Sequence, residues 1–159
     1  MQRACLLIVL VIASVSSAMG QHLEASGFAG YGWQAGDDQQ KIGKGSYGAS
    51  FGWQSTGRSG VVVDYAYADF APRSYDRHWL TGSYRLQATT RRVRPFFQAG
   101  MGAMWTRNNS TATDIAVVLG VGATIEARSS FFVRPQFRTY GYVGPTLMNV
   151  FGVAAGFRF

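Results

Sequence analysis

Few side chains in this 159-residue chain are placed to make or break bonds. Acyl transfer needs a nucleophile, a base to take its proton and a group to orient that base. Ser74-Tyr-Asp76-Arg-His78 is the one stretch that offers all three residue types. Strand parity sends His78 to an apolar face, where it reads as an ordinary residue of a water–apolar boundary. His22, the other histidine after the leader, sits beside the expected mature N-terminus and is a poor base. Gly27-Phe-Ala-Gly30-Tyr-Gly32 and Gly100-Met-Gly102 look like phosphate-cradling loops, but they lie inside alternating segments and open no helix, so the dinucleotide reading fails its context. Asp37-Asp38 is two adjacent acids and not a metal site, although such a pair suits a divalent ion at a lipopolysaccharide surface. Asn108-Asn-Ser110-Thr111 reads as a polar loop. Cys5 is the single cysteine, so the mature chain has no disulfide and no thiolate metal site. The expected catalytic, cofactor-binding and metal residues are none, no cofactor is expected, and the chain reads as a non-enzyme.

The segments that would position any site begin after a leader. Met1-Gln2-Arg3 is short and positive, Ala4 to Val15 is almost wholly apolar, and Ser16-Ser17-Ala18-Met19-Gly20 supplies small residues before Gln21. That order is a secretory signal peptide over residues 1–20. The apolar run is too short for a membrane-spanning helix, which needs about 20 residues. Cys5 precedes the run, which argues against a lipoprotein. Residues 21–159 are then one domain.

Polarity in that domain is segregated on a fine scale. Charged residues make up 14% of the chain, aromatics another 14%, and glycine occurs 20 times, with mean hydropathy near zero. A soluble domain carries about 25% charged residues. The net charge of +7 raises nucleic acid as a partner. The arginines are spread singly along the alternating segments, with no basic stripe and no recognition helix, so that partner is excluded.

Eight segments alternate with period two: residues 23–33, 46–54, 60–68, 77–87, 93–106, 114–126, 131–140 and 147–159. Successive side chains of a strand point to opposite faces, so each segment predicts a strand with one apolar and one polar face. The expected fold is all-β, an eight-stranded antiparallel up-and-down barrel. The connectors alternate in kind. Residues 35–44, 69–76, 107–113 and 141–146 are longer and polar, and residues 55–59, 88–91 and 127–129 are mostly shorter. Membrane barrels have short turns at the periplasmic end and longer loops outside, which places both termini in the periplasm.

Alternation alone leaves open which face is wet. A soluble lipocalin-like barrel turns its apolar face inward, and a membrane barrel turns it outward. The aromatics favour the membrane. Tyr31, Trp33, Tyr47, Tyr65, Tyr67 and Trp105 fall near the long-connector ends, and Trp53, Tyr84, Phe97, Phe131, Phe157 and Phe159 near the short-turn ends. Two aromatic belts imply two water–hydrocarbon interfaces. The segments are also long enough to span at the usual tilt.

The other face carries Glu24, Asp64, Asp114 and Glu126 with Arg77, Arg85, Arg94, Arg134, Arg138 and Arg158. An eight-stranded barrel has an interior that side chains just fill, so these charges need partners. Strand adjacency predicts Glu24 with Arg158 across the closing seam, Glu126 with Arg94 and Arg134, and Asp64 with Arg85. Met104, Phe96 and Met148 are also expected to face inward. The result is a charge-paired plug, closed at rest.

The run Gly120-Val-Gly122-Ala-Thr-Ile-Glu126-Ala-Arg128-Ser-Ser-Phe-Phe-Val-Arg134-Pro-Gln-Phe-Arg138-Thr-Tyr140, followed by a last strand with Phe151, Val153, Ala155, Phe157 and Phe159 on one parity, resembles the small OmpA/OmpX-like outer-membrane β-barrel family. The resemblance covers residues 21–159. It implies an integral outer-membrane location in a Gram-negative bacterium and contact with outer-membrane lipids and lipopolysaccharide. It also implies delivery by barrel-assembly machinery that reads the strand ending in Phe159. The chain lacks the soluble peptidoglycan-binding domain that OmpA-like proteins often carry, so wall attachment is not implied. A monomer with a structural or interaction role is the leading reading, and a narrow channel or carrier for small solutes is the alternative. Lipid A deacylases and palmitoyl transferases share the architecture, but the His-x-Ser spacing of the deacylases is absent here.

Overall fold

The computed structural model describes residues 22–35, 43–55, 58–70, 75–88, 92–107, 111–127, 129–142 and 147–159. The leader, Asp37-Asp38, Ser74 and residues 108–110 lie outside the described residues. Eight strands follow one another: β1 (His22–Ala35), β2 (Gly43–Ser55), β3 (Ser59–Phe70), β4 (Tyr75–Gln87), β5 (Val93–Arg107), β6 (Thr111–Glu126), β7 (Phe131–Tyr142) and β8 (Leu147–Arg158). Each pairs antiparallel with the next, and β8 pairs with β1, so the sheet is a closed barrel without a free edge. At the seam Leu23 and Phe159 exchange both backbone hydrogen bonds, at 3.2 and 2.9 Å. Glu24 stands opposite Arg158 in the register.

The strands run further than the apolar alternation does. Phe70 pairs with Tyr75, and Arg107 with Thr111. The connecting stretches 71–74, 108–110 and 143–146 are therefore three or four residues, much like the three to five of 56–58, 88–92 and 127–130, and only 36–42 stands out. The expected contrast between long and short connectors shrinks accordingly. Its cause is that a backbone ladder needs no apolar face, so polar residues such as Arg107 extend it beyond the patterned segment. The end where β1 begins and β8 finishes is called here the termini end, and the opposite end the distal end.

Polarity is inside out relative to a soluble domain. Leu80, Met101, Ile115, Leu119, Val121 and Phe151, all outward, are each about half exposed, whereas Asp64, Arg85, Arg134 and Arg138 are buried. Outward rings sort as expected. Phe131 and Phe157 meet at 5.4 Å at the termini end. Trp33 meets Phe137 at 5.9 Å, which adds Phe137, and with it Phe151 opposite in the register, to the distal belt.

Candidate functional site inside the barrel

Three inward phenylalanines organise the lumen. Phe28 lies opposite Gly48 in the register, Phe96 opposite Gly122, and Phe132 opposite Gly156. A Cβ on Gly122 would come within 2.7 Å of the Phe96 ring, one on Gly156 within 2.8 Å of the Phe132 ring, and one on Gly48 would overlap the Phe28 ring. Each ring therefore lies flat across a neighbour that has no side chain. That frees its other face for a cation.

Arginines take those faces. The Arg138 guanidinium sits 5.1 Å from the Phe28 ring centre, Arg85 sits 5.0 Å from Phe96, and Arg134 sits 4.4 Å from Phe132 and 5.6 Å from Phe96. Such contacts are worth about 0.5–2 kcal/mol each. The guanidinium edges then meet carboxylates. Glu24 is the hub, with Oε2 accepting from Arg134 at 2.7 Å and Arg85 at 3.3 Å, and Oε1 accepting from Arg158 at 2.7 Å. Glu126 Oε1 accepts from Arg158 at 2.5 Å and from Arg94 at 2.8 Å. Asp64 accepts from Arg138 at 3.0 Å and Gln98 at 3.1 Å, and also from Ser50. Gln98 in turn accepts two N–H bonds from Arg85, at 3.1 and 3.3 Å. Arg134 Nε donates to Thr124 at 2.9 Å.

Two of the expected pairs form as read: Glu24 with Arg158, and Glu126 with Arg94. Two are corrected. Arg134 goes to Glu24 and not Glu126, and Asp64 is ion-paired with Arg138 and not Arg85. The lumen of eight strands is narrow enough for an arginine to reach across it, so β7 serves β3, and β4 serves β1. Adjacency in the sheet predicts only neighbours.

Above this charged layer, toward the distal end, lies an apolar layer, with Gln34, Ser46 and the Nε and Nη1 of Arg77 buried in the same half. Trp79 of β4 packs on Tyr140 of β7 with ring centres 5.2 Å apart, spanning the barrel. Met104, Met148, Val118 and Val150 close around them, all buried. Met104, Met148 and Phe96 were legible as inward residues. Trp79, Tyr140 and Val118 were missed, although their parity matches the polar residues around them. The layers touch where Arg138 donates to the Tyr140 hydroxyl at 3.4 Å.

His78 lies outside, in the distal belt. Its ring stacks on Trp105 at 5.4 Å, and its Nδ1 shares a 2.8 Å hydrogen bond with the Tyr65 hydroxyl. Asp76, its expected orienting partner, instead accepts from Tyr67 at 3.0 Å. Asp76 and His78 thus take different partners, and Ser74 lies outside the described residues.

The closed eight-stranded ladder and its inverted polarity decide the architecture. This is the fold of the small outer-membrane β-barrels. The Neisserial surface protein A structure matches with a TM-score of 0.73 at 13% identity, over 88% of this chain and 97% of that one. The N-terminal β-barrel domain of Pseudomonas aeruginosa OprF matches with 0.65 at 15% identity, over 87% and 97%. The outer-membrane enzyme PagL matches with 0.51 at 12% identity, over 84% and 97%, so the fold accommodates barrels that catalyse. No family model and no curated protein matches the sequence.

Proposed function

We propose that the chain is an integral outer-membrane barrel with a structural or interaction role and a lumen closed at rest. The observation that carries this reading is the double filling of the lumen. A charged layer is cross-linked from wall to wall, and above it lies an apolar layer built on Trp79 and Tyr140. A hydrophobic constriction resists wetting, and a charge layer cross-linked from wall to wall leaves no water-filled path for ions, so the two fillings together close the lumen. The half-exposed apolar exterior with an aromatic belt at each end supports hydrocarbon as its surroundings. The role is non-enzymatic on this reading, because His78 is occupied by Tyr65 and Trp105.

On the same reading, residues 1–20 are removed on export and the termini end faces the periplasm. Assembly machinery reads the strand ending in Phe159, and the outer leaflet presents lipopolysaccharide to the distal belt. Cell fractionation with detergent gels tests this. The protein should remain in the alkali-washed outer-membrane fraction and migrate differently before and after boiling. Deletion of Phe159 should reduce assembly in cells far more than refolding in detergent. A single unshifted band from a buffer-soluble protein would favour the lipocalin-like barrel. Proteoliposomes should swell in small sugars no faster than empty vesicles, and faster swelling would favour the narrow channel.

A further inference from the structure

The charged layer is not balanced. Asp64 and Arg138 match one to one, but at the termini end two carboxylates, Glu24 and Glu126, serve four guanidiniums, those of Arg85, Arg94, Arg134 and Arg158. Arg85 and Arg134 are buried, and uncompensated buried charge is very costly. The turns at this end supply no acid. They carry Arg58, Arg91, Arg92 and Arg128 and neither Asp nor Glu. The Arg58 backbone bonds Gln87, and the Arg92 backbone bonds Glu126, so those two turns border the mouth directly.

Hydrogen-bond supply leans the same way. Among the described residues Gln54 Nε2, Gln87 Nε2 and Arg94 Nε are buried donor atoms with no acceptor, against one buried carbonyl acceptor, Gln87 Oε1, with no donor. Gln54 is 1% exposed and Gln87 6% exposed. They belong to one mouth. Gln54 accepts from Arg158 at 3.4 Å, Arg158 binds Glu126, and Glu126 binds Arg94. Gln87 pairs in the register with Phe96, one inward position along β5 from Arg94. Arg94, Arg158 and Glu126 keep side-chain exposures of 21%, 10% and 24%, so solvent reaches the charged groups of this mouth while the three donor atoms themselves are buried among them. Surplus positive charge, unfilled amide and guanidinium N–H groups, and solvent access together describe a receptor for a small oxyanion.

We infer that the termini-end mouth of the lumen binds a phosphate-type anion through Arg94, Gln54 and Gln87. The bound anion supplies the acceptors these donors lack and offsets the surplus charge of Arg85 and Arg134. This goes beyond the closed-scaffold reading, since a lumen closed in its distal half can still hold an anion at its mouth.

The test is an NMR titration of the full-length barrel, purified from membranes in detergent, following arginine Nε–H and glutamine side-chain N–H signals. Inorganic phosphate should move the Arg94, Gln54 and Gln87 signals saturably, and chloride at matched ionic strength should not. Gln87→Leu and Arg94→Gln should each weaken the apparent affinity at least about tenfold while the heat-shifted gel band persists. A second arm with short-chain phosphatidic acid separates the sources. Saturation by phosphate assigns the site to free anions, and saturation by the lipid alone assigns it to a headgroup phosphate. Absence of a saturable shift in both arms, or an equal shift in chloride, would overturn the inference and leave water as the partner of these donors. A phosphate response that survives both substitutions unchanged would overturn it as well.

Discussion

The two halves of the lumen solve one problem by opposite means. Toward the termini, space is filled by arginines laid on phenylalanine rings and tied to Glu24, Glu126 and Asp64. Toward the distal end, it is filled by Trp79, Tyr140 and two methionines with little hydrogen bonding among them. The charged half depends on every partner being present, because a carboxylate removed from it leaves guanidiniums buried and unpaired. The apolar half depends on volume, and loses only the contacts of the atoms deleted. The same barrel wall thus carries one layer that is brittle to charge changes and one that is graded in its response to size.

The sharpest way to break that contrast is Glu24→Leu. It strands Arg85, Arg134 and Arg158 together, and breaking even one buried pair costs about 3–5 kcal/mol. The urea midpoint of the detergent-folded barrel, read by the heat-shifted band, should fall further than for any single change in the apolar layer. Trp79→Ala comes next. A large core ring lost to a cavity costs about 3–5 kcal/mol at one site, with no charge left behind. If Trp79→Ala proved costlier than Glu24→Leu, the charged half would not be the brittle one. Gly122→Val, which drives a side chain into the Phe96 ring under Arg85 and Arg134, should cost a smaller amount, roughly 1–3 kcal/mol. The smallest effect for the charges removed is expected from removing a balanced pair whole. Asp64→Leu combined with Arg138→Met should cost clearly less than the sum of the two single changes, the remainder coming from Gln98 and Ser50, which lose Asp64 as acceptor.

Much of this arrangement was written in the alternation. Eight strands, their order and their faces followed from a period of two, because one residue of slip would turn every side chain to the wrong side. Glu24 with Arg158 was legible because barrel closure makes β1 and β8 neighbours. The Arg138–Asp64 bridge was not, because β3 and β7 face each other across the lumen and nothing in strand order reports that distance. The distal plug was hidden for a different reason. Trp79 shares its parity with Arg77, Thr81, Ser83, Arg85 and Gln87, and Tyr140 follows Arg134, Gln136 and Arg138, so polar neighbours masked both as apolar inward residues. The Phe–Gly pairs were hidden too, since a glycine marks its own strand while its purpose lies in the ring next door. The anion-receiving mouth became visible only once four arginines were seen to share two carboxylates.

Closure of the lumen is the claim on which the functional reading stands, and conductance reports it most directly. Purified wild-type protein recorded in a planar lipid bilayer should insert without unitary current in simple salt. Steady, well-defined conductance in the wild type, unchanged when Arg94 or Glu126 is replaced, would contradict the account.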